Sequence, residues 1–188
     1  MLIKNGANID ADIELMLACA FHRRYRKNEK ILDLLFANGA DINHPYYLNG
    51  RTLLHFAIET TDPSRFNMEY FFKFLFKYLI RKGADVNARN DQGYSPLHVA
   101  ANKGNEIIAQ MLLENGAKVN METNNGTTPL TLAIKNFKNG NMGMIKLLIQ
   151  NGAIADIGLM NWLLDGIKVF EELQKFMGCG QSTLNYLE

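Results

Sequence analysis

RNDQGYSPLHVAANKGNEIIAQMLLENGAKVN, residues Arg89 to Asn120, decides the fold, because partial copies of it lie on both sides. Ser95 is placed to cap a helix, its hydroxyl accepting from a first-turn N–H. Pro96 sits at the first helical position, where a missing N–H costs nothing. Leu97, Ala100 and Ala101 make the buried face of a short helix, and the two alanines let paired helices approach closely. Gly104 can adopt positive φ and end it. A second helix follows from about Glu106 to Glu114, with Ile107, Ile108, Met111 and Leu112 at helical spacing, and Gly116 ends it in the same way. From Ala117 to the glycine equivalent to Gly93 the chain projects as a hairpin-like finger. One such unit cannot bury its own apolar face, so the copies must stack.

The run Gly93, Ser95, Pro96, Leu97, His98, Ala100, Ala101 and the ending Leu112, Leu113, Gly116, Ala117, Val119, Asn120 resemble the two halves of the ankyrin repeat. The resemblance implies an all-α solenoid of stacked antiparallel helix pairs with projecting fingers. It also implies a protein–protein interaction module in place of an enzyme. His55 and His98 fall on the position where the family's imidazole bonds to neighbouring turns, a structural role.

Outward from this unit, residues 1–156 read as one repeat stack. It comprises a partial repeat over 1–10 and units over 11–43, 44–87, 88–120 and 121–156. Leu2 to Asp10 matches Leu112 to Asn120, the end of a repeat whose front is missing. Either the chain is cut from a longer one or a bare second helix opens a natural domain. Leu2 and Ile3 offer no polar capping face and favour a cut chain. Unit 11–43 lacks the P-L-H run, and composition alone marks its helices. Its turn is longer by about five residues and carries a basic run over 22–27. That run reads as a solvated helix end, with a phosphate or acidic-partner patch as the alternative. Unit 44–87 recovers Thr52, Leu54, His55 and Ala57, with Leu53 in place of proline. An insertion of about ten residues, including Thr60 to Asn67, then precedes an aromatic helix. Phe71, Phe72, Phe74, Phe76, Tyr78 and their neighbours read as core, with Lys73 and Lys77 keeping one side wet. Unit 121–156 has Thr131 where the histidine would stand, and its turn is longer by about three residues. Residues 157–177 look like amphipathic capping helices, and 178–188 like a flexible tail.

The chain has 188 residues, an apolar content of 47% and a formal net charge of +1. That length suits one domain with a sizeable core. Near-neutral charge gives no electrostatic reason to bind nucleic acid. Cys19 and Cys179 read as isolated thiols, which suits a reducing cytosol. No apolar run approaches a membrane span and no signal peptide is visible. The expected location is therefore cytoplasmic. Frequent asparagine hints at an AT-rich genome, as in intracellular bacteria and large viruses, and so at the host cytosol if the chain is a host-directed effector. His22 and His44 are isolated, and no His or Cys pair has metal-ligand spacing. No nucleophile elbow, Walker loop or dinucleotide fingerprint is present. We expect no catalytic residue, no metal and no cofactor.

The expected partner is another protein, bound by a monomer in a concave groove of finger tips and exposed first-helix residues. Carried over from the resemblance, the variable positions around Gly50 are Tyr46, Leu48, Asn49, Arg51, Glu59 and Thr60. Around Gly93 they are Arg89, Asp91, Gln92, Tyr94, Asn102 and Lys103. Around Gly126 they are Glu122, Asn124, Asn125, Thr127, Lys135 and Asn136. Tyr46, Arg51, Arg89 and Tyr94 are the types most often dominant in interfaces. One alternative is a targeting or structural domain of a larger enzyme or secreted effector. Another is a substrate of asparagine hydroxylation, since Leu35/Asn43, Leu79/Asn87 and Leu112/Asn120 resemble that pattern. The bland explanation of these asparagines is that each closes its finger turn.

Overall fold

A computed structural model describes residues 29–45, 49–60, 68–136 and 142–154. Several expectations fall outside the described residues: the partial repeat over 1–10, the basic run over 22–27, Tyr46 and Leu48, most of the insertion before the aromatic helix, and the cap and tail after 156. Among the described residues there are seven helices and no strand. They are α1 (Glu29–Ala37), α2 (Leu53–Glu59), α3 (Met68–Arg81), α4 (Pro96–Lys103), α5 (Glu106–Glu114), α6 (Pro129–Lys135) and α7 (Gly143–Gln150). None is long and apolar enough to cross a membrane.

Each helix pair is set by its links. Only Gly104 and Asn105 separate α4 from α5, so the chain must double back at once. Gly104 makes this possible at φ 66°, and Asn105 starts α5 by accepting the Ile108 N–H on its side chain. The L-L-x-x-G-A ending has an equally local cause. Gly116 N–H donates to Leu113 O and Ala117 N–H to Leu112 O, a Schellman closure repeated after α3 and α7. Gly104 closes α4 with the same pair, Gly104 N–H to Ala101 O and Asn105 N–H to Ala100 O; beside Gly116, the Asn115 amide adds a bond back to Met111 O at 2.7 Å.

The helices form two rows. α2, α4 and α6 pack side by side in the first, and α5 packs on α7 in the second. Leu54, Leu97 and Leu130 recur at equivalent first-row positions and are almost wholly buried. Ala57, Ala100 and Ala133, three residues on, are also buried, and their small side chains let the rows close up. On the aromatic helix α3, Leu75, Phe76, Tyr78 and Leu79 are buried and Lys73 and Lys77 are exposed. Phe74 departs from the core reading, being 47% exposed. Tyr78 also ties α3 to α1: its hydroxyl donates to Asp33 at 2.8 Å, beside the Lys82–Asp33 ion pair. These two donors hold the Asp33 carboxyl below its ordinary range.

Candidate partner-binding surface

The fingers are built from short polar side chains. Asn90 Oδ1 accepts from both Gln92 N–H and Tyr94 N–H, folding the turn around itself. In the next finger Thr123 Oγ1 accepts from Thr127 N–H at 3.1 Å. Neighbouring fingers share one main-chain bond each: Asp91 N–H to Asn49 O, and Asn124 N–H to Gln92 O, both 3.0 Å. Gly93 permits the second contact. Its φ is 82°, and a Cβ there would sit 2.7 Å from the Asn124 backbone nitrogen.

Beneath the fingers, His55 and His98 brace each unit against the next. His98 Nε2 lies 3.0 Å from Thr127 O, and His55 Nε2 2.9 Å from Tyr94 O. A carbonyl can only accept, so Nε2 carries the proton and Nδ1 is the acceptor. Accordingly Nδ1 of His98 receives the Ser95 N–H at 3.1 Å and the Ser95 hydroxyl at 2.8 Å. The imidazole thus takes the third-residue role in a reciprocal capping box. Both rings are buried. Burial pushes the His98 pKa down to about 4, against the opposing pull of the Thr127 carbonyl, and lowers that of His55 for the same reason.

Asn43, Asn87 and Asn120 brace the opposite edge. Asn87 Nδ2 donates to Gly116 O at 3.0 Å while its Oδ1 accepts from Lys118 N–H at 2.8 Å. Asn43 makes the same pair with Gly83 and Asp85, and Asn120 with Gly152 and Ile154. These amides do not close their own turns, contrary to the bland expectation. Asp85 Oδ1, accepting the Asn87 N–H, does that locally.

Of the positions expected to meet a partner, Asp91, Gln92, Asn102, Lys103, Glu122, Asn124 and Asn125 are exposed. Arg51 and Glu59 form an ion pair, so the base of a finger and the end of a first-row helix face one surface. Arg89 lies across the next finger, donating to Glu122 O at 2.7 Å and to Asn124 Oδ1 at 3.1 Å. Asn124 returns a bond to Asp91 O. Tyr94 is half-buried, its ring edge-on to His98 with centroids 5.6 Å apart. Thr127 is half-buried, and its carbonyl and N–H serve His98 and Thr123. Asn102 Oδ1 accepts from Asn136 Nδ2 at 2.7 Å, linking the ends of α4 and α6. Sequence reasoning missed the turn-forming roles of Asn90 and Thr123, although a short polar side chain three residues before Gly93 and Gly126 is a readable signal.

A family profile described as ankyrin repeats (3 copies) matches residues 15–121 and again 67–161. An ankyrin repeat protein of fowlpox virus is 30% identical over 120 residues, 59% of this chain and 31% of its own length. One from Rickettsia felis is 33% identical over 73 residues, 39% of this chain and 29% of its own. Alpha-latrotoxin-Lg1a of Latrodectus geometricus is 36% identical over 80 residues, 42% of this chain and 5% of the toxin. The matched segments thus span about a third or less of these relatives. With the profile matching well over half of its residues, the chain belongs to the ankyrin-repeat family.

Proposed function

We propose that this stack binds a partner protein through its fingers and the exposed ends of α2, α4 and α6. Ankyrin repeats are in general protein–protein interaction modules, and the family is typically non-enzymatic. The observation that carries the reading is a contrast within the chain. Inward positions repeat from unit to unit, as at Leu54, Leu97 and Leu130, whereas several outward ones do not: Arg89 corresponds to Glu122, Asp91 to Asn124, and Asn102 to Lys135. A surface free to vary on a fixed frame is what selective recognition needs. Arg89 and Tyr94 already hold contacts within the stack, so their substitution tests stability as well as binding. Asp91 and Gln92 are cleaner probes. Affinity capture with the folded chain, followed by mass spectrometry, supplies the partner. Replacing Asp91 and Gln92 together by alanine should then weaken it by about 1–3 kcal/mol. Equal weakening by Gln110→Ala, on the second row, would move the site elsewhere, with the insertion before α3 the next candidate.

A second reading is that the stack targets a larger protein. The relatives favour it, since the matched segment is about a third of the fowlpox and rickettsial proteins. Sequencing the complete gene tests it: a catalytic domain joined to the stack supports this reading, and a gene encoding only repeats removes it.

A further inference from the structure

We infer that the binding face recognises the main chain of an extended peptide through rows of primary amides; this rests on the proposed binding face. The residue before the finger glycine is Asn49, Gln92 and Asn125 in three successive fingers, so one primary amide stands at each tip. None of these three side chains bonds within the described residues, and Gln92 and Asn125 are exposed. A second row lies at the ends of the first-row helices. There Asn136 Nδ2 donates to Asn102 Oδ1 and to Leu132 O, leaving the Asn102 NH2 as a donor and the Asn136 carbonyl as an acceptor. That pair offers one donor and one acceptor side by side, as a peptide group does in reverse. The Arg51–Glu59 pair shows that the finger base and the helix end bound a common surface.

Amides suit this ligand better than charges would. A primary amide both donates and accepts, so it can meet either side of a peptide group whatever side chain follows. Charges on this face are of both signs, as at Asp91, Lys103, Glu122 and Lys135, and select no strongly acidic or basic partner. The spacing also fits. Packed helices stand about 8–10 Å apart, and three residues of a polyproline-II chain rise about 9.3 Å. A peptide lying along the stack would therefore bring one peptide group to each finger amide per three residues.

The test uses the whole chain as bait for a phage-displayed library of random dodecapeptides. A selected peptide, labelled with fluorescein, is then titrated by polarisation against the parent and against Gln92→Met, Asn125→Ala and Asn102→Ala. All three side chains are exposed, and unchanged melting curves confirm that the variants fold. Each substitution should weaken binding roughly three- to tenfold, the loss expected for one neutral hydrogen bond. N-methylation of the peptide backbone at every third residue should weaken it at least as much, and alanine replacement of single peptide side chains should not. Binding that follows peptide side chains and ignores N-methylation overturns the inference, as does parent-like binding by all three variants. If no peptide is enriched but a captured folded protein loses affinity on Gln92→Met, the inference fails while the binding face stands. If selected peptides are lost instead on Gln110→Ala, both fail.

Discussion

The histidine braces run through the core and the asparagine braces along an exposed edge, yet both join one unit to the next. Each imidazole makes one bond across the junction and is held at its other nitrogen by its own capping box. Each edge asparagine makes two bonds across and needs no local support. The edge brace occurs at all three described junctions. The core brace occurs at two of them; on α6 Thr131 stands in the histidine's place, and among the described residues its hydroxyl meets Thr128 at 3.0 Å. The difference lies in the solvent. Water can replace a broken bond at the edge, whereas in the core a lost imidazole leaves the buried Ser95 N–H without its acceptor and Thr127 O with the Thr123 N–H alone. Two edge bonds should therefore contribute less than one core bond.

The largest effect is expected at His98. His98→Ala removes the donor to Thr127 O and the acceptor for Ser95 N–H, and it opens a cavity beside the Tyr94 ring. A loss of about 3 kcal/mol in urea unfolding should result, since an unsatisfied buried group costs about 1–3 kcal/mol before the cavity is counted. His98→Thr copies the arrangement found at Thr131. It keeps a local partner for the Ser95 hydroxyl while losing the bond across the junction and the acceptor for Ser95 N–H, so it should cost less than His98→Ala. Equal losses would mean that the brace, not the local contact with Ser95, carries the stability.

Acid provides a second way to break the core brace. The folded-state pKa of His98 is about 4 against an ordinary 6.5, and His55 is lowered in the same sense. Between these values the unfolded chain binds more protons than the folded one. The stability contributed by the neutral rings is thus fully present above pH 6.5 and is lost as pH falls towards 4. For His98 alone the loss at pH 5 relative to pH 8 is about 2 kcal/mol by linkage. The unfolding midpoint should fall accordingly, and His98→Thr should flatten the dependence. A parent and variant with parallel pH profiles would remove the histidine from the account.

At the edge, Asn87→Ala should cost about 1 kcal/mol, because water can satisfy Gly116 O and Lys118 N–H once the amide has gone. A loss matching that of His98→Ala would show that exposure does not separate the two braces.

How far the sequence reached follows the same division. Leu97, His98, Gly104 and the L-L-x-x-G-A ending were legible because their causes are local: a cap, a turn at positive φ, a closure within six residues. The α5 boundaries, Glu106 and Glu114, were readable for that reason. What was not legible depends on which side chains stacking brings face to face. Arg89 reads in sequence as an interface residue, whereas its guanidinium lies on Glu122 O and Asn124 Oδ1 across the junction. Asn87 reads in sequence as a turn residue, whereas its amide meets Gly116 and Lys118 of the next unit. Asn102 was expected at the surface, but its union with Asn136 needs two helices side by side, and no spacing within one unit encodes it.

Gln110 offers the smallest effect and the sharpest control. It lies on α5, and its amide donates to Glu114 Oε1 at 2.8 Å, a bond within one helix. It joins no two units and stands on the second row, away from the fingers. An exposed pair four residues apart contributes about 0.2–0.5 kcal/mol to a helix. Gln110→Ala should therefore shift the unfolding free energy by no more than this, and alanine's better helix propensity offsets part of the loss. Asn87→Ala removes an exposed amide of similar chemistry but breaks bonds across a junction. If the two variants melt alike, the edge asparagines act as ordinary surface residues and the histidines alone tie the units together. If Asn87→Ala melts clearly lower, position across the junction, and not the chemistry of the amide, sets the value of the bond.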